Sequence, residues 1–284
     1  MRRPVPRLRH SICNDLFQGR SFADAAKAIR GAGYTGIEIA PFTLSDDPAA
    51  LAPARRRELR AILESEGLEF AGFHWLLATP KGLHVSAPDR ALRGTSWDYL
   101  RRIIELCADL GPHGVLVFGS PQQRSTTGGL TPAEATRHLV EGFAEIAPYA
   151  RERGTCVLLE ALSPDQTDVV TTLDEAAAIV RQIDNPGLRT LFDTHNAVGE
   201  VEPHDVLLER HFDLIRHIHV NEADGRQPGS GKYDFRPVLD VLLRRGYSGW
   251  VSLEYFGASD DPAGVAAGSI KYLEKCVATP IPRG

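Results

Sequence analysis

The chain has 284 residues, of which 43% are hydrophobic and 24% charged, and its formal net charge is −5. That length can bury a sizeable core, and the mixture is that of a soluble globular protein. The acidic balance offers no phosphate-binding face, so neither nucleic acid nor an anionic membrane is expected as a partner.

Cys13, Cys107, Cys156 and Cys276 are far apart and form no CxxC or zinc-ribbon spacing, which fits a reducing compartment. The opening "MRRPVPRLRH" is basic, but no apolar stretch follows it. A secretory signal is therefore not expected. No run of about 18 apolar residues occurs, so no transmembrane helix is expected and the cytoplasm is the default location.

In chain order, "RLRHSIC" (7–13) reads as a strand and "SFADAAKAIRGAG" as a helix opened by Ser21. "GIEIA" (36–40) is the second strand, followed by a helix over 52–67. "LEFAGFHWL" (68–76) is the third, followed by a long loop and the helix "SWDYLRRIIELCADLG". "GVLVFG" (114–119) is the fourth, with a long helix over 132–153 announced by Thr131 and Pro132. "TCVLLEAL" (155–162), "LRTLFDT" (188–194), "IRHIHV" (215–220) and "WVSLEYF" (250–256) complete the strands. Helices over 172–184, 203–212, 235–245 and 262–276 lie between and after them, the last opened by Asp261 and Pro262. Glycines at 33, 67, 111, 154 and 246 fall near helix ends, where a left-handed residue is expected.

Eight alternating strand–helix units predict a parallel sheet closed into a (β/α)8 TIM barrel, one domain over 1–284. A doubly wound open sheet would show a Gly-rich fingerprint after its first strand, and none follows "RLRHSIC".

Function in such a barrel sits at the C-terminal ends of the strands. The fifth to eighth strands end in Glu160, Asp193, His219 and Glu254; the third ends in His74, and the second carries Glu38. Any single one could be a salt-bridged structural residue. Four successive strands delivering such side chains at one height should bring them together above the mouth. Three crowded carboxylates repel unless a cation joins them. Three oxygen ligands and one nitrogen suit Mn²⁺, Mg²⁺ or Co²⁺ better than a thiol-seeking ion.

With these motifs in place, the chain resembles the xylose isomerase-like TIM barrels of the sugar phosphate isomerase/epimerase family. Within it, the chain resembles ketose 3-epimerases of the D-tagatose 3-epimerase group, along essentially its whole length. The resemblance rests on "LLEAL", "LFDTH", "HIHV" and "SLEYF", whose ligand positions are separated by 33, 26 and 35 residues. It implies one divalent ion, Mn²⁺ as first choice, held by Glu160, Asp193, His219 and Glu254. It also implies proton abstraction next to a carbonyl held by that ion, with Glu160 and Glu254 as paired acid and base.

Three positions depart from the epimerase pattern. Gln166 stands where another Glu is usual, "DTHN" puts His195 and Asn196 where a His is usual at the second of the two places, and Gly225 with Arg226 displaces an Arg by one residue. These positions handle substrate in the epimerases. The expected substrate-contacting set is His74, Trp75, Lys81, Gln166, His195 and Arg226. Trp75 has a core reading and Lys81 a solvated-loop reading beside this one. His217, one layer below His219, reads as a core histidine or one that supports the metal site. Glu222, Asp224 and Arg226 open the loop bordering the substrate, with Gly229 and Gly231 letting it turn.

The expected partner is a small sugar, and a dimer or tetramer is the expected assembly. Three rival readings bear on function. A lyase or dehydratase performing β-elimination on a keto-sugar or 3-keto-glycoside would use the same site. A repair enzyme of the endonuclease IV type would need further histidines where "GSGKYDF" and Phe118 stand. A non-catalytic sugar-binding barrel would lack one of the four ligands.

Overall fold

Short runs of Val, Leu and Ile bounded by Gly and polar residues form strands buried on both faces, as a parallel sheet requires. The computed structural model describes residues 8–279. Its strands are β1 (Arg9–Cys13), β2 (Gly36–Ile39), β3 (Glu69–Phe73), β4 (Val115–Phe118), β5 (Cys156–Leu159), β6 (Leu188–Asp193), β7 (Ile215–Val220) and β8 (Trp250–Leu253). They pair in parallel in that order, and β8 closes onto β1. The expected TIM barrel is therefore the observed one. Arg7, expected in the first strand, lies outside the described residues, as does most of the basic opening segment.

The helices are α1 (Phe22–Gly31), α2 (Pro53–Glu66), α3 (Arg90–Leu110), a single turn α4 (Pro121–Arg124), α5 (Pro132–Glu152), α6 (Leu173–Ile183), α7 (His204–His211), α8 (Arg236–Arg244) and α9 (Pro262–Ala278). The side chains of Ser21, Thr131 and Asp261 each accept a backbone N–H of the first turn, as their positions predict. Helix α3 begins six residues before the expected start, because Asp89 accepts the Ala91 N–H and lets the helix run through Gly94. Gly33, Gly67, Gly154 and Gly246 have positive φ, but Gly111 is extended at φ 178°. The expectation of a left-handed residue fails there: Gly111 leads straight toward β4.

Several strands are shorter than the apolar runs suggest. β3 stops at Phe73, β5 at Leu159 and β8 at Leu253. His74, Glu160 and Glu254 are thus the first residues beyond the sheet, where the backbone turns away and the side chains are free to gather at the mouth.

Most of the core lies between strands and helices. Trp97, Phe118 and Phe143 form its aromatic centre, with ring centroids 5.1–6.2 Å apart. The barrel interior is apolar only in part, where Val115, Val117, Leu158 and Leu191 pack together. Its N-terminal mouth holds a cavity of about 560 Å³ lined in part by Arg9, Cys156 and Trp250, at the opposite end from the acids. Toward the C-terminal mouth, Cys13, Glu38, His74, His217 and His219 replace apolar side chains inside the barrel. None of the described helices is long and apolar enough to cross a membrane.

Candidate metal centre

Register places the ligands. Asp193 on β6 pairs with His219 on β7, and His219 pairs with Ser252 on β8, two residues before Glu254. The structure brings Glu160, Asp193, His219 and Glu254 together, with one ligand atom of each within 4.8 Å of the others. His219 Nδ1 lies 3.1 Å from Glu254 Oε2, 3.6 Å from Asp193 Oδ2 and 3.8 Å from Glu160 Oε1. All four residues are buried.

A carboxylate behind His219 decides which ring nitrogen faces the acids. Glu38 oxygens lie 3.1 and 3.2 Å from His219 Nε2, and one lies 2.7 Å from His217 Nε2. With Nε2–H donating to Glu38, Nδ1 is the nitrogen left to face the acids, which favour a proton there when no metal is bound. That nitrogen is buried without a hydrogen-bond partner among the described residues. A buried ring nitrogen aimed at three carboxylates is what a cation site provides. The spacings also suit ligands held at about 2.0–2.2 Å from one ion. The residues fit a divalent metal.

Charge is redistributed accordingly. Burial pushes the Glu254 carboxyl up to about 8 against the pull of His219, and the charges of Asp193 and Glu160 add to the rise. Burial also raises Glu160. Burial would raise Asp193 too, but its interactions with His219 and the Asn196 N–H hold it below the usual range. Burial opposes a charged His219, yet Glu38 and Glu254 hold its pKa well above the ordinary value.

Three supporting residues were not among those expected to hold metal or touch substrate. Asn196 donates to Glu160 Oε1 and Asp193 Oδ2, both at 3.2 Å, and accepts from Gln166 Nε2 at 2.7 Å. Arg124, wholly buried, donates to the Glu160 carbonyl at 2.6 Å and to the Val170 carbonyl at 3.1 Å. Gly119 leaves room for Glu160: a Cβ there would stand 2.4 Å from Oε2. The polar residue Asn196 in "DTHN" was visible as a departure from pattern. Nothing local marks Arg124, which reads as an ordinary loop cation.

The residues expected to touch substrate separate into three places. His74, Trp75 and Gln166 line a cavity of about 20 Å³ that also meets Glu160 and Glu254. Trp75 and Lys81 line an outer cleft of about 670 Å³, along with Asp15, Tyr255 and Phe256. Trp75 and Phe256 border both spaces. His195 and Arg226 stand behind this wall: the His195 ring lies 5.0 Å from that of Phe256, and Arg226 donates to the Tyr255 hydroxyl at 3.0 Å. Glu222 opens the loop after β7. It is buried and accepts the N–H groups of Gly229 and Tyr233, bracing its own loop. Gly229 has φ +90°, whereas Gly231 is required for space, since a Cβ would stand 2.3 Å from Glu222 Oε2.

With this fold and site, the chain belongs to the xylose isomerase-like TIM barrel family, whose profile matches residues 26–276. The resemblance seen in the strand-end motifs is borne out. The chain is 24% identical to a fructoselysine 3-epimerase of Shigella flexneri over 82% of its own length and 83% of the relative's. It is also 24% identical to an inosose dehydratase of Serratia proteamaculans, over 88% and 86% respectively. A D-psicose 3-epimerase structure from Clostridium cellulolyticum, determined with D-tagatose, superposes with a TM-score of 0.84 at 16% identity, covering 95% of this chain and 99% of that one.

Proposed function

We propose that the protein is a divalent-metal-dependent sugar isomerase or epimerase that moves a proton on the carbon next to the carbonyl of a ketose or related sugar. The observation that carries this reading is the buried four-residue cluster with its unpartnered His219 Nδ1. The family and the fructoselysine 3-epimerase relative support it. Mn²⁺ is the preferred ion, with Mg²⁺ or Co²⁺ as alternatives.

An ion held by Glu160, Asp193, His219 and Glu254 supplies Lewis-acid stabilisation of negative charge developing on substrate oxygens. Three carboxylates leave such a centre near −1, so side chains must move the proton. Glu160 and Glu254 both face the inner cavity, within reach of a sugar held there. One removes the proton and the other returns it. Asn196 fixes the Glu160 and Asp193 carboxylates, and Arg124 fixes the turn that carries Glu160. Trp75, Lys81 and Gln166 contact the sugar, with His195 and Arg226 holding Phe256 and Tyr255 in position. The protein works in the cytoplasm as a single-domain subunit of a dimer or tetramer.

A second reading is a lyase or dehydratase acting by β-elimination on a keto-sugar or 3-keto-glycoside. It is favoured by the inosose dehydratase relative and by Gln166, whose amide is engaged with Asn196 and Ser163. Both readings begin with the same proton abstraction. NMR in D₂O with metal-replete enzyme and a panel of ketoses and 3-keto-glycosides distinguishes them. Deuterium should enter at the carbon next to the carbonyl. Glu160→Gln and Glu254→Gln should each lower turnover about 10²–10⁴-fold. An epimerase retains exchange from one face in each variant, whereas a lyase loses exchange in one and fails to expel the leaving group in the other. Turnover in which hydride passes between carbons without solvent exchange rejects both.

A further inference from the structure

Three groups beside the four-ligand cluster have no metal-binding or acid–base role in the chemistry above. His74 follows β3 and is 1% exposed, and neither of its ring nitrogens has a hydrogen-bond partner among the described residues. Asp15 stands in the turn after β1, and its Oδ1 is likewise buried without a partner. Cys13, the last residue of β1, is completely buried. Its Sγ, an Asp15 oxygen and a His74 nitrogen all lie within 4.8 Å of one another.

The spacing does not suit a simple hydrogen-bonded triad. His74 Nε2 and Asp15 Oδ1 are 3.4 Å apart, and His74 Nδ1 is 3.6 Å from Glu38 Oε1. Those separations are long for charge-assisted hydrogen bonds. Yet 3.4 Å is close to the edge of a tetrahedral centre whose bonds to nitrogen and oxygen are about 2.0–2.1 Å long. Leaving an imidazole and a carboxylate oxygen buried and unpartnered costs free energy that a shared cation would recover.

We propose that Cys13 Sγ, Asp15 Oδ1 and His74 Nε2 form a second metal site, selective for Zn²⁺ or a cation of similar softness, with its fourth position facing the outer cleft. The thiol is the reason for the selectivity, because thiolate ligands favour Zn²⁺ over Mg²⁺ or Mn²⁺. The neighbouring cluster of three carboxylates and one imidazole has the opposite preference. Three protein ligands with one open position are the arrangement of zinc sites that bind water or a ligand, whereas structural zinc sites are closed. Asp15 lines the outer cleft, so the open position faces the space a substrate would enter. The His74 and His219 ring centroids are 6.3 Å apart, so the two centres are neighbours with separate ligands.

Titration of the chelator-stripped, full-length protein with Co²⁺ tests this. Thiolate coordination gives a near-ultraviolet charge-transfer band that oxygen and nitrogen ligands do not give. The wild type should bind two equivalents, one of which develops the band. Cys13→Ser should lose the band and one equivalent. Asp193→Asn should lose the other equivalent and keep the band, so failure at one centre is told apart from failure at the other. His74→Ala repeats the test of the second centre should Cys13→Ser fail to fold. Absence of the band from the wild type at saturation overturns the proposal. So does its persistence in Cys13→Ser, which would place the ion on Cys107, Cys156 or Cys276, and so does an unchanged band in His74→Ala, which would take His74 out of the ligand set.

Discussion

At the scale of single residues, Glu38 shows how one carboxylate sets the chemistry of another element. It is completely buried, and burial would raise its pKa, but His219 and His217 hold it well below the usual range. It therefore stays ionised and fixes the His219 ring with Nδ1 toward the acids. Glu38→Gln should preserve the fold by circular dichroism while lowering divalent-ion affinity about 10–100-fold. Unchanged affinity in a calorimetric titration would show that His219 needs no such anchor. The four clustered residues were legible because each is the last polar residue of an apolar run. The pairing of Glu38 with His217 and His219 was not, because those partners are 179 and 181 residues away in sequence. Arg124 was hidden for the same reason, since the carbonyls it satisfies belong to the turns after β5.

At the scale of elements, helix starts were the clearest text. Ser21, Thr131 and Asp261 carry signals that need only their own neighbours, and each cap forms. The Thr131 box is reciprocal: its hydroxyl accepts the Glu134 N–H at 3.3 Å, and Glu134 accepts the Thr131 N–H at 2.8 Å. Thr131→Ala should therefore destabilise the protein by about 1 kcal/mol in urea unfolding, with the mouth unaffected. A loss near zero would mean that packing of α5 alone sets its start. Strand ends were less legible. An apolar run continues past the last ladder bond whenever the following turn is also largely buried, as "LEAL" and "LEYF" are. The same burial that blurred the boundary makes those turns suitable for holding carboxylates.

At the scale of the whole molecule, the cluster couples stability to pH and, under the proposed function, to metal. Glu254 has an ordinary pKa of 4.5 and is pushed up to about 8 when folded. Between those values the folded, metal-free chain holds a proton that the unfolded chain releases, so raising the pH lowers stability. Glu160 and His219 are also raised and act with the same sign. The melting temperature of chelator-treated protein should fall from about pH 5 to about pH 8. Saturating Mn²⁺ should lessen the fall, because the ion takes the place of those protons. A melting temperature that rises across this range without metal would contradict the crowding of the acids. The division of the mouth into two spaces has a further consequence, in time. About 20 Å³ beside Glu160 and Glu254 has room for little more than a water molecule, whereas the cleft outside offers about 670 Å³. Anything larger that reaches the acids from the cleft has to displace Trp75 or Phe256, and Trp75 starts from a left-handed backbone at φ 52°, rare for so bulky a residue. Under the proposed function, each catalytic cycle would then contain an opening and a closing, and the slower of these would set a ceiling on turnover however fast the proton moves.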